Sequence, residues 1–309
     1  VLVLGWFLVV EVAVRALLVP ASQDLREIRA YDERAQRLVN GHGLRLAVVG
    51  NSAARCGIDA DLLRQALAAN GSGTPDVAAF TPDGSGIVDW CCLLNRFFWE
   101  PDRTPDAVVI CFFGGLQDHR SDSGRLVHYL ATRGDWPALF CRGYCSVGER
   151  IDFVLSTFWT TYALRARLRD RLLKTAVPDF EAFHTTLNDV AYRQEQAAAS
   201  RAASYRRTYF FLQRLLAAAR TQRTQLVFVA FPGRPDAGVS RSTYPIPDEV
   251  RTWIREAGMQ LVDLRRVEQL TPALYRDAVH LKPEGQQVFT KVLAARLAHL
   301  TISRSVAGQ

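Results

Sequence analysis

The chain is predicted to fold as an α/β protein. Helices should cover both faces of a central, parallel, five-stranded sheet, giving a three-layer α/β/α sandwich with one helical insertion. Two observations predict it. Five short apolar runs of strand length, at 44–50, 76–80, 105–113, 225–231 and 259–264, recur along the chain. Helical patterns and small polar turns separate them, which is the rhythm of strand–helix–strand units. The composition agrees: 49% of the 309 residues are hydrophobic, enough for a large core and far from a disordered chain.

Residues 1–20 read VLVLGWFLVVEVAVRALLVP, interrupted only by Glu11 and Arg15. Their length and hydropathy predict a membrane anchor or an uncleaved signal-like segment, the alternative being an amphipathic or buried helix. The first residue is Val, as in a sequence that starts inside a longer protein. Residues 21–43 are charged and helix-prone, a stalk or packing helix leading into a domain at 44–309. Arg26, Arg29, Arg34 and Arg37 would mark that flank as cytoplasmic.

Within 44–309, the strand 44–50 leads to a helix over 59–70 that Asp59 caps. The strand 76–80 meets a Gly-rich turn at 81–86 and a helix through Trp90, Leu94 and Phe98. The run DAVVICFF is the most strand-like in the chain, and Gly114-Gly115-Leu116-Gln117-Asp118 follows it. Residues 119–200 break the rhythm with Arg- and aromatic-rich helical stretches. They form an insertion: a lid, a membrane-facing subdomain or a solvated decoration. A helix over 201–220, strand 225–231, helix 247–257, strand 259–264 and a last helix over 283–300 complete the set.

The formal net charge is +7, nearly all of it arginine dispersed among Asp and Glu. No basic stripe with interleaved aromatics exists, so no nucleic-acid partner is expected. The six cysteines lack paired Cys-x-x-Cys spacing. Cys111 reads as a buried small hydrophobe, and Cys141 and Cys145 could form a local disulfide in an oxidising compartment. There is no Gly-x-Ser-x-Gly elbow, Walker loop, dinucleotide fingerprint or His-Glu-x-x-His. No cofactor and no metal are indicated.

Two stretches carry chemistry. Gly50-Asn51-Ser52 ends the first strand, at the sheet edge where ligands bind in open α/β folds. Alone it reads as a turn. At the far end Asp277 and His280 lie three apart, in the loop before Pro283 opens the last helix. Imidazole is the side chain whose ordinary pKa lies near neutrality, which suits a general base, and an Asp beside it can fix its tautomer.

Ser52 after the first strand with Asp277-x-x-His280 before the last helix resembles the SGNH (GDSL-type) hydrolase superfamily, in particular its membrane-anchored bacterial members. The resemblance runs from Leu44 to the final helix, apart from the insertion. It implies a flavodoxin-like sandwich and a Ser52–His280–Asp277 relay. It also implies an oxyanion hole made by the Ser52 N–H, by Gly84 (or Gly86) and by Gln117. Gln117 stands where the family usually has the Asn of Gly-x-Asn-Asp, and Asn51 stands where its name motif has Asp. The activity implied is an esterase or O-acyltransferase working through an acyl-enzyme. Its substrate would be O-acyl (acetyl) groups of an envelope or exported polysaccharide, with the catalytic domain held outside the cytoplasmic membrane. The alternative is a catalytically degenerate SGNH domain that binds a glycan or a protein. The oligomeric state is open.

Overall fold

The computed structural model describes residues 2–70, 74–99, 103–118, 123–140, 147–180, 209–236 and 245–300. The chain divides into two compact units, one formed by Val1–Arg26 with Asp122–Thr208, the other by Glu27–Ser121 with Tyr209–Gln309.

The second unit holds the sheet. Its strands are β1 (Arg45–Gly50), β2 (Asp76–Phe80), β3 (Ala107–Phe112), β4 (Gln225–Ala230) and β5 (Gln260–Asp263), all parallel, in the order β2-β1-β3-β4-β5. The fold is the three-layer α/β/α sandwich that the strand–helix alternation predicts. Strands buried on both faces read as unbroken apolar runs, which is why Leu46-Ala47-Val48-Val49 and Ala107–Phe112 carry no alternation. On one face Leu46, Val48, Val109 and Val229 pack with Leu63 and Leu67 of the helix Ala60–Ala69 and with Phe289 and Leu293 of the last helix, Pro283–Ala298. The other face is covered by the helices Tyr31–Val39, Ile87–Leu94 and Phe210–Thr221. Tyr31, Phe80, Phe97 and Phe98 form edge-on aromatic pairs there. Opposite the functional edge, the buried Asp106 carboxylate accepts from the Arg45 guanidinium at 2.7 Å and from the Arg45 N–H at 2.9 Å, tying the start of β1 to β3.

Three boundaries differ from the sequence reading. Ser52 opens a short helix, Ser52–Gly57, because the Asn51 side chain accepts from Ala53 N–H and caps it. Within 21–43, Tyr31–Val39 buries Tyr31, Ala35 and Leu38 against β1 and β2, so it is a packing helix and not a stalk. The described helix of the 201–220 stretch starts at Phe210, where the Asp118 carboxylate accepts from the Phe210 and Phe211 N–H groups; 201–208 lie outside the described residues.

Gly57 is held to glycine by contact, since a Cβ there would sit 2.0 Å from Cζ of Phe231, itself packed at a tilt against Phe289. Gly57→Ala is expected to cost about 1–3 kcal/mol through overpacking. Urea unfolding, with a lowered midpoint at unchanged slope, checks this.

The first unit is helical throughout its described part of the 119–200 insertion, with no strand there. A continuous helical run, Leu2–Ala13, Val14–Leu18 and Val19–Ala21, packs with it. Asp24 is buried between Arg125 and Arg167, at 3.0 and 2.5 Å. Cys141 and Cys145 lie outside the described residues. Cys56 and Cys111 are free thiols, and burial pushes the Cys111 thiol up. Among the described residues no helix is long and apolar enough to cross a membrane.

Candidate active site

The sheet order reverses at β1, which is followed by β2 on one side and β3 on the other. The crevice beyond the carboxyl ends of β1 and β3 is therefore the switch point where α/β sheets bind ligands. Ser52 follows β1 there, and Gln117 follows β3. Gly50 allows the close approach: a Cβ on it would meet Cβ of Ala54 at 2.5 Å and the Cys111 carbonyl oxygen at 2.9 Å.

His280 is brought to Ser52 from the opposite end of the chain. Its loop is closed at the base by the antiparallel bridge Tyr275↔Leu281, and Arg276 N–H donates to the His280 carbonyl at 2.8 Å. Pro283 then starts the last helix. From β4's end, Arg234 N–H donates to the Ala278 carbonyl at 2.9 Å and braces the same loop.

Ser52 Oγ lies 2.9 Å from His280 Nε2, and His280 Nδ1 lies 2.8 and 3.0 Å from the two Asp277 oxygens. An ionised carboxylate can only accept, so Nδ1 carries the ring hydrogen. Nε2 of the neutral ring is then the acceptor for the Ser52 hydroxyl. Asp277 also accepts from the Val279 and His280 N–H groups, at 3.0 and 2.8 Å. Burial by itself would push its carboxyl up. The hydrogen bonds from the His280 ring and from those N–H groups outweigh burial, holding it well below the usual carboxylate range.

That depression has a signed consequence. Asp277 contributes stability above the unfolded carboxylate value of about 4, and loses it as pH falls through the lower folded value. The Asp277 carboxylate's contribution to the stability gap between wild type and Asp277→Asn is therefore expected to be complete above about pH 5. That contribution should shrink steadily as pH falls below about 4. Urea titrations of both proteins across that range measure it.

The donors of the predicted oxyanion hole line up unequally. Ser52 is the first residue of its helix, so its N–H has no intrahelical acceptor. The Gly86 N–H already donates to Asp89 at 3.0 Å, capping the helix Ile87–Leu94. Gly84 sits in the turn with φ +59° and open space around it, so conformation and not crowding selects glycine there. Gln117 folds its amide back over Gly115: a Cβ on Gly115 would lie 1.8 Å from Gln117 Oε1.

Several positioning residues escape sequence reasoning. Buried Ser85 has the Pro82 and Gly50 carbonyls within reach of its one hydroxyl hydrogen, at 2.7 and 3.0 Å, and accepts from Trp90 Nε1 at 2.9 Å, stitching the Gly84 turn to the end of β1. Arg55 makes a two-point ion pair with Asp83 at 2.9 Å, tying that turn to the Ser52 helix. Asp118 anchors the Gln117 loop to the helix Phe210–Thr221. The only trace in sequence is the small Gly84-Ser85-Gly86 cluster. Among the described residues no group of His, Cys, Asp or Glu could hold a metal ion.

In comparisons with known proteins, no family model and no curated protein matches the chain.

Proposed function

We propose that the protein is a serine esterase or O-acyltransferase of the SGNH type. The observation that carries this reading is the unbroken line Ser52–His280–Asp277, drawn together from residues 228 apart at the ligand-binding edge of the sheet. The Ser52 hydroxyl attacks an ester carbonyl while His280 Nε2 takes its proton. Asp277 holds the ring and stabilises the imidazolium. In this reading the Ser52 N–H, the Gly84 N–H and the Gln117 amide serve as the donors for the developing oxyanion. Gly84 is preferred because the Gly86 N–H is already engaged. His280 then protonates the leaving alcohol, and water or a sugar hydroxyl resolves the acyl-enzyme.

The substrate class, O-acyl groups on an envelope or exported polysaccharide, follows from the resemblance to anchored bacterial SGNH proteins. So does an extracytoplasmic domain anchored through the N-terminal segment. The arginine flank argues less strongly for a cytoplasmic side once its contacts are known, because Arg34 donates to the Ala79 carbonyl within the fold.

The alternative, a degenerate domain that binds a glycan or a protein, rests on Gln117 in place of Asn. One experiment separates the two. The protein is exposed to a fluorophosphonate, the adduct is mapped by peptide mass spectrometry, and acetate release from an O-acetylated polysaccharide is followed. An adduct on Ser52 with acetate release supports the enzyme. A folded protein that stays unmodified and still retains the polysaccharide supports the binding domain.

A further inference from the structure

Among the described residues, every exposed large apolar side chain lies in the first unit and none in the sheet-bearing unit. Most of them fall into two sets. On the helix Leu2–Ala13, Trp6, Leu8, Val9 and Val12 are exposed on different sides, Trp6 by 69%. A helix apolar all round needs apolar surroundings. Its one acidic group is provided for inside the unit. Glu11 accepts from the Thr160 and Thr161 N–H groups at 2.9 and 2.8 Å, and pairs with Arg15 at 2.6 Å.

The second set is a stripe. On the helix Val147–Phe158, the exposed residues Val147, Ile151, Val154, Leu155 and Phe158 recur at helical spacing along one side. Val147 and Phe158 are 73% and 76% exposed, while Phe153 and Ser156 turn inward and are fully buried. Among the described residues of the unit, none covers the outward stripe. Two residues further along the chain from Ala163, the helix Arg165–Ala176 has no buried residue and carries five basic groups against one acidic; Arg165 pairs with Asp152, Arg167 with Asp24 and Arg169 with Asp170, and Arg171 and Lys174 complete the set. It also exposes Leu172. Apolar stripes beside basic helices suit an anionic lipid surface.

We propose that the stripe on Val147–Phe158 is a second membrane contact, inserted in the interface of an anionic bilayer beside the N-terminal helix. The choice of lipid over another occupant rests on the anchored reading of that helix; the stripe itself does not depend on the esterase reading.

The test uses the full chain reconstituted in vesicles of phosphatidylethanolamine and phosphatidylglycerol, doped with a phospholipid bearing a diazirine on its acyl chain. After irradiation and trypsin digestion, lipid adducts are expected on the peptide 151–165 as well as on the N-terminal peptide. In Ile151→Glu with Leu155→Glu the adducts on 151–165 should disappear, while N-terminal adducts and fluorophosphonate labelling of Ser52 persist. Adducts confined to the N-terminal peptide would overturn the inference and leave the anchor standing. Absence from both peptides would overturn inference and anchor together. A wild-type dimer that the double variant converts to monomer, with no lipid adducts on 151–165, would assign the stripe to a second copy of the chain and likewise overturn it.

Discussion

Replacing Ser52 with alanine is expected to abolish covalent capture by a fluorophosphonate, and replacing His280 with alanine to slow it by about four orders of magnitude or more. The first effect is absolute because Ser52 Oγ is the atom that forms the bond. The second follows from the 2.9 Å contact with Nε2: without the imidazole, no other group among the described residues lies in hydrogen-bond reach to take the hydroxyl proton. Asp277→Ala should fall near His280→Ala, because the ring then loses the acceptor that sets its tautomer. The three losses should not add, since the groups act as one unit, and a double variant should be scarcely worse than His280→Ala. His280 and Asp277 are 22% and 47% exposed and lie outside the hydrophobic core, so these variants should stay folded by circular dichroism, with the reduced stability expected from loss of the Asp277 carboxylate. Time-resolved intact mass gives the rates. Labelling of Ser52→Ala at the wild-type rate, or of His280→Ala unchanged, would sink the relay and with it the esterase reading.

The parts legible in sequence share a physical cause. Parallel strands buried on both faces must be apolar throughout, so β1, β3 and β4 announce themselves locally. Asp277 and His280 are legible as a pair because the turn that joins them is three residues long. Their meeting with Ser52 is legible only through the family resemblance, from two stretches that sit at opposite ends of an alternating chain. The parts that were not legible depend on partners far away in sequence. Ser85 bonds to Gly50, Arg55 to Asp83 and Asp118 to Phe210, across 35, 28 and 92 residues. Each is a residue type that surfaces are full of. The helix Ser52–Gly57 was too short to show a period. Glu11 reads in sequence as a cost to an apolar helix; its partners at Thr160 and Thr161 are about 150 residues away.

Gln117 is where the family resemblance and this chain part, and its contribution can be isolated. Gln117→Ala is expected to lower kcat on an activated acetyl ester by about 100- to 1000-fold with KM little changed, the loss that follows removal of one oxyanion donor. KM stays because the donor binds charge that exists only in the transition state. Gln117→Asn restores the usual donor and should remain within about tenfold of wild type, since the extra methylene of Gln is taken up by folding the amide over Gly115. Gly115 supplies the sharper comparison. Its φ is not positive, so alanine is conformationally permitted there, unlike at Gly114 with φ +92°. An alanine Cβ would stand 1.8 Å from Gln117 Oε1, the mobile end of a side chain, so the amide and not the backbone must move. Gly115→Ala should therefore reproduce much of the kcat loss of Gln117→Ala while leaving the unfolding midpoint close to wild type. The pair should then be nearly silent in combination, because once the amide is gone the Cβ at 115 has nothing left to displace. If instead Gln117→Ala leaves kcat unchanged, the amide does not face the oxyanion, and the departure from Asn marks a site that has lost one of its donors.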